Sequence, residues 1–146
     1  MTGNADAQYR LKVAQGFLNE ARQDVDLHRW RSTVDNAQLA IENAAKAVLS
    51  LAGPVGRSHN PATQVRQMLH DKLFAAPQDE QVQRVAELAE MMGADVHIQT
   101  DYGDEVSGRT PWELFNETDA RRSVGMAEEA VQLALSIIQA VLNEGH

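Results

Sequence analysis

Between Val34 and Gly53 the apolar residues Val34, Ala37, Ile41, Ala44, Val48 and Leu51 recur every three or four positions, the spacing that gathers side chains on one face of a helix. Ala40, Ala45 and Ala47 widen that face with small side chains, so neighbouring helices can approach from more than one side. The same stretch carries Gln38, Glu42, Asn43 and Lys46. These are more polar groups than a central helix can hide without partners, so either one edge is wet or the helix lines a site.

The pattern predicts helices on both sides. A first helix spans Asp6 to Leu27, with Tyr9, Val13, Phe17, Ala21 and Val25 four apart and Ala14 and Leu18 beside them; His28, Arg29, Trp30 and Arg31 form the corner. The second helix opens at Arg31 or Ser32 and stops at Gly53-Pro54. A third begins where Asn60 caps and Pro61 occupies the first helical position, burying Val65, Met68, Leu69 and Leu73. Ala75-Ala76-Pro77 breaks the pattern before a fourth stretch with Val82, Val85, Ala86, Leu88, Ala89 and Met92, which Gly93 either ends or lets run on to Ile98. Thr100 to Gly108 reads as a loop. Thr110-Pro111-Trp112-Glu113 has the form of a capping box and opens a short helical turn. Thr118 caps a final helix with the stripe Ala120, Val124, Ala127, Val131, Ala134, Ile138 and Val141. No strand and no internal repeat is evident.

A chain of 146 residues is one domain by length, large enough to build a core without disulfides or metals. The absence of cysteine excludes disulfides and thiolate zinc sites. The first ten residues lack the apolar core of a signal peptide, and no apolar run approaches the ~20 residues that span a bilayer. A cytoplasmic protein without a membrane association is the expectation. The net charge of −8 is uneven: residues 1–72 hold nine Lys/Arg against seven acids, residues 73–146 four against fourteen. Such an acidic total argues against broad nucleic-acid affinity and leaves room for a local basic patch around Arg29, Arg31 and Arg57.

The second helix resembles that of a HEPN domain, in which an alanine-rich helix with a Glu and a Lys-Ala pair is followed by a Gly turn and a His. The matching residues are Glu42, Lys46-Ala47, Gly53 and His59-Asn60; Phe17, Glu20-Ala21 and Trp30 fit the family's first helix and turn, and Asp119-Ala120 fits its last helix. The resemblance covers nearly the whole chain. It implies a single all-α domain over residues 1–146, an antiparallel up-and-down four-helix bundle with short additional helices, and a homodimer.

Catalytic HEPN proteins are metal-independent ribonucleases that use an Arg followed four to six residues later by His, near the start of the last helix. Here that neighbourhood reads Arg121-Arg122-Ser123-Val124-Gly125-Met126-Ala127, without a His. Arg22 and His28 match the spacing, but they lie in the first helix. General acid–base cleavage needs a proton donor and acceptor beside the phosphate, and the family's pair is absent. Non-toxin relatives carry Arg-Tyr-Pro-Asp before the last helix, whereas this chain has Asp101-Tyr102-Gly103-Asp104. Asp101 reverses the charge, and Arg109 stands a few residues on as a substitute.

The resemblance thus implies a non-catalytic binding module, taking a nucleotide or RNA and pairing with a minimal nucleotidyltransferase partner. The alternatives are a ribonuclease built on His59 with Arg57 or Arg109, and a purely structural interaction module using Trp30 and Trp112. Gln38, Glu42, Lys46, Arg57, His59, Tyr102 and Arg109 are the candidate ligand-binding residues, and no catalytic residue is assigned. Glu42 and Lys46 stand four apart, an ordinary surface ion pair if exposed and a polar anchor or phosphate contact if buried. His59 reads either as a ligand contact or as a packed residue at the helix start. No Glu-x-x-His motif for a di-iron bundle, Gly-rich phosphate loop or nucleophile elbow occurs, so no cofactor or metal is expected.

Overall fold

The computed structural model describes residues 3–53, 61–74 and 76–144. Its helices are α1 (Gly3–Asp26), α2 (Trp30–Ser50), α3 (Ala62–His70), α4 (Ala76–Met91), α5 (Ala94–Tyr102), α6 (Pro111–Leu114) and α7 (Glu117–Glu144). The only sheet-like pairing among the described residues is one antiparallel bridge between Asp104 and Arg109. Pro54, Arg57, Ser58, His59 and Asn60, and with them the Asn60 cap, lie outside the described residues.

The bundle is two triangles of helices sharing an edge. α2 and α7 form that edge, α1 packs on both from one side, and α4 packs on both from the other. Successive main helices alternate in direction: Asp6 meets Ser50 and Asp24 meets Asn36 across α1 and α2, while Gln81 meets Ser136 and Arg84 meets Glu129 across α4 and α7. α3 lies on α2 and α4, and α5 and α6 lie on α2. The alanines of α2 allow this crowding, since Ala37, Ala40, Ala44, Ala45 and Ala47 are all completely buried.

In α1 the buried stripe is Ala7, Leu11, Ala14, Leu18, Ala21 and Val25; the expected Ala14, Leu18, Ala21 and Val25 belong to it, whereas Tyr9, Val13 and Phe17 do not. Alternating steps of four and three average 3.5 residues and stay on the seam between helices, whereas repeated steps of four drift around the axis. Tyr9 is consequently exposed.

α1 ends in a Schellman-type turn: Arg29 N–H donates to the Asp24 carbonyl at 2.9 Å and His28 N–H to the Val25 carbonyl at 3.2 Å, with His28 left-handed at φ 59°. The buried Asp24 carboxylate accepts from Ser32 Oγ at 2.6 Å and Asn36 Nδ2 at 2.8 Å. It thereby fixes where α2 begins. Lys72, left-handed at φ 56°, closes α3 and turns Leu73 out to solvent instead of into the core.

Met91 ends α4 and a new helix starts at Ala94, so Gly93 stops one helix and precedes another. α5 then runs through Thr100 to Tyr102, into the stretch whose composition reads as a loop. The Thr110–Glu113 capping box is present in both directions. The cap of α7 is Asn116 rather than Thr118: Asp119 N–H donates to Asn116 Oδ1 at 3.0 Å, and Asn116 N–H donates to Asp119 Oδ2 at 3.1 Å. Over Glu117–Asn143 this helix has the length and mean hydropathy, 1.3, of a bilayer-crossing segment. Its apolar stripe, with Ala127, Ala134 and Ile138 buried, is packed against α1, α2 and α4 as in a bundle core.

Arg84 ties α4 to α7 by a two-pronged contact with Glu129, at 2.8 and 3.0 Å, and holds the Glu129 carboxyl below its ordinary range. A carboxyl whose folded value is depressed adds stability above its unfolded value, about 4.3 for Glu, and loses it as pH falls through the folded value. Glu129→Gln is therefore expected to flatten the loss of thermal stability on acidification below about pH 4.3. Melting curves across that interval check it; an unaltered slope would show that the contact is not formed in solution.

Candidate functional site

The row of Gln38, Glu42 and Lys46 is real and internal. The three residues are 0, 5 and 7% exposed. Gln38 Nε2 donates to Glu42 Oε1 at 3.4 Å and Lys46 Nζ to Glu42 Oε2 at 3.4 Å. One turn on, Ser50 Oγ donates to the Lys46 carbonyl at 2.8 Å and lies 3.1 Å from Asp6 Oδ2 on α1. Steps of four carry the row obliquely around α2, from the interior at Gln38 to the α1 contact at Ser50. The Lys46 ammonium thus faces Glu42, and a contact that leaves α2 along this row runs from Ser50 to Asp6.

Of the other candidates, Arg57 and His59 lie outside the described residues. Tyr102 is exposed at the end of α5. Arg109 exchanges backbone hydrogen bonds with Asp104 at 2.8 and 3.0 Å, and its guanidinium donates to the Glu113 carbonyl at 3.1 Å. Tyr102 closes α5 and Arg109 lies in the connection from α5 to α6, while Gln38, Glu42 and Lys46 share one face of α2. Asp101 is exposed, 4.0 Å from His97 Nε2. Among the described residues no group of three or more His, Asp or Glu side chains converges as metal ligands do.

A different constellation forms where the α1–α2 corner meets α6. His28, Arg29, Trp30, Arg31, Ser32 and Trp112 line a cleft of about 320 Å³. The rings of His28 and Trp30 stack at 4.9 Å, 21° from parallel. Arg31 donates to the Thr100 carbonyl at 2.7 Å while its guanidinium carbon lies 5.6 Å from the centre of the Trp112 ring, a cation–π arrangement. Arg29 reaches out from the corner with its side chain 65% exposed, 4.0 Å from Asp24. Trp112 is 73% exposed.

Local chemistry explains this geometry. The Asp24 network sets the corner, and the Thr110–Glu113 capping box begins α6 so that Trp112, two residues beyond the cap, faces Arg31. The cleft offers aromatic faces and guanidinium groups together, which is what a flat heterocycle bearing a phosphate needs. The chain's two tryptophans both line it. In the sequence, Arg29 and Arg31 appear as a basic patch and the tryptophans as protein contacts; nothing in the spacing brings Trp112 to Arg31.

Fold and cleft together define a helical-bundle domain with an aromatic and basic recess beside its central helix. A family model described as the HEPN domain matches residues 7–143, and the chain belongs to the HEPN family. Among solved structures, the crystal structure of TT1696 from Thermus thermophilus is similar with a TM-score of 0.68 and 18% identity, over 93% of this chain and 98% of that one. This likeness concerns the fold. Comparison with curated proteins finds no match.

Proposed function

We propose that this HEPN domain is a non-catalytic module that binds a nucleotide in the cleft between Arg29 and Trp112, and that it acts in the cytoplasm as a homodimer paired with a minimal nucleotidyltransferase. The observation that carries the reading is the juxtaposition of Trp30 and Trp112 with Arg29 and Arg31 in one recess. The base stacks on indole and the phosphates meet Arg29. Lys46, a phosphate contact in the sequence reading, is engaged with Glu42. The last helix carries Arg121 and Arg122 with no His in the following positions, in keeping with binding without cleavage.

Because both tryptophans line the cleft, intrinsic fluorescence reports it directly. Titration with ATP is expected to quench the emission. Loss of a stacking partner costs about 1–3 kcal/mol, so Trp112→Ala should weaken the affinity measured by calorimetry about 5- to 150-fold. Arg29→Ala should weaken ATP more than adenosine. No quenching at millimolar ATP, or equal affinity in Trp112→Ala, would overturn the ligand assignment. Cleavage of single-stranded RNA in the presence of a chelator would overturn the non-catalytic one.

A further inference from the structure

A second recess lies where the start of α7 meets α2, α4 and α5, with a volume of about 210 Å³. Its interior is apolar. Val34 and Met92 are buried there, Val96, Phe115 and Met126 are partly buried, and Met91 stands exposed at the edge. An apolar cavity of roughly 150 Å³ suffices to take up benzene, so the space suits one aromatic ring. Methionine adapts its shape and makes favourable sulfur–aromatic contacts, and three methionines converge here.

The polar groups at this recess are not equivalent. Ser123 Oγ is committed to the Ala120 carbonyl at 2.7 Å, and Asp119 Oδ2 accepts the Asn116 N–H in the α7 cap. Arg121, the neighbour of Arg122 in sequence, is paired with Glu117 at 2.7 Å. Arg122 alone among the recess-lining polar groups makes no hydrogen bond or ion pair among the described residues. An uncommitted guanidinium at the mouth of an apolar, sulfur-lined space selects a ligand with an anionic head and a flat apolar body.

The geometry points to a binding site for a small aromatic carboxylate, its ring among Met91, Met92 and Met126 and its carboxylate on Arg122. The site is separate from the tryptophan cleft and does not depend on nucleotide binding there. Phenylacetate is the probe, with benzyl alcohol as its neutral counterpart and the intact chain labelled with ¹³C at the methionine methyls. Ring-current shifts are expected at Met91, Met92 and Met126, with Met68, which lies in another part of the fold, stationary. Arg122→Gln removes an exposed group, leaves the core intact, and should weaken phenylacetate about tenfold or more. Benzyl alcohol should bind the wild type no better than phenylacetate binds the variant. Any of three results would overturn the assignment: no methyl shifts at tens of millimolar phenylacetate, shifts at Met68 as large as those at the recess, or equal affinity in Arg122→Gln.

Discussion

Glu42→Ala is expected to cost about 3–5 kcal/mol of unfolding free energy, because it strands one member of a buried ion pair. The side chains of Lys46 and Glu42 are only 8% and 5% exposed. Removing the carboxylate leaves the ammonium with neither counter-ion nor bulk water, and also takes away the acceptor of Gln38 Nε2. The same pair on an open helix face would be worth about 0.2–0.5 kcal/mol, so burial decides the magnitude. Position adds to the effect, because α2 is packed by α1, α7, α4, α3 and α5 and has little freedom to let solvent reach the charge. Replacing both partners by apolar residues of similar volume, Glu42→Leu with Lys46→Met, should recover most of the loss, since no charge is then left buried. Urea denaturation followed by circular dichroism gives all three values. If Glu42→Ala unfolds within about 1 kcal/mol of the parent, as expected of a surface ion pair, the row is solvated and the pair is not buried.

How much of this is legible in the sequence depends on whether the cause is local. The obliquely wound polar row on α2 follows from a four-residue spacing, and the Thr110–Glu113 box from four adjacent residues; both stand in the structure as the spacing predicts. The stripe of α1 differs from the predicted one in its first half, because Ala7 with Leu11 and Tyr9 with Val13 are both apolar enough to qualify, and only contact with α2 and α7 chooses between them. Asn116 and Thr118 are equally able to cap α7; Asp119 decides the matter by accepting a hydrogen bond from Asn116. Thr100 reads as loop on composition, yet it is buried, with its hydroxyl 3.2 Å from Asp35 and its carbonyl accepting from Arg31. Those partners lie on α2, and a tertiary contact of that kind overrides local propensity. The tryptophan cleft is invisible in the sequence for the same reason, being made by two segments far apart in the chain, one carrying Trp30 and the other Trp112.

The docking of that arm rests on Gly103, and Gly103→Ala is expected to dismantle the cleft while sparing the bundle. Gly103 has φ 72° and ψ −152°, backbone space essentially reserved for glycine, where another residue costs about 1–3 kcal/mol. A Cβ there would lie 2.3 Å from the Arg109 carbonyl oxygen and 2.9 Å from both Pro111 N and Thr110 C. These are backbone atoms, so relief requires moving the stretch of chain from Arg109 to Pro111, and Trp112 follows directly. Of the core helices α1, α2, α4 and α7, only α2 is touched by α6 among the described residues, so the movement leaves the packing of α1, α4 and α7 in place. The indole N–H signals provide a readout that does not presuppose any ligand: Trp112 should shift as its contact with Arg31 is lost, and Trp30 should shift less. ATP affinity should fall to the level of Trp112→Ala, about 5- to 150-fold below the parent. A moved Trp112 signal with unchanged ATP affinity would place the nucleotide elsewhere. An unmoved signal would mean that the Asp104–Arg109 turn accommodates the methyl group, and that Gly103 does not hold the arm in place.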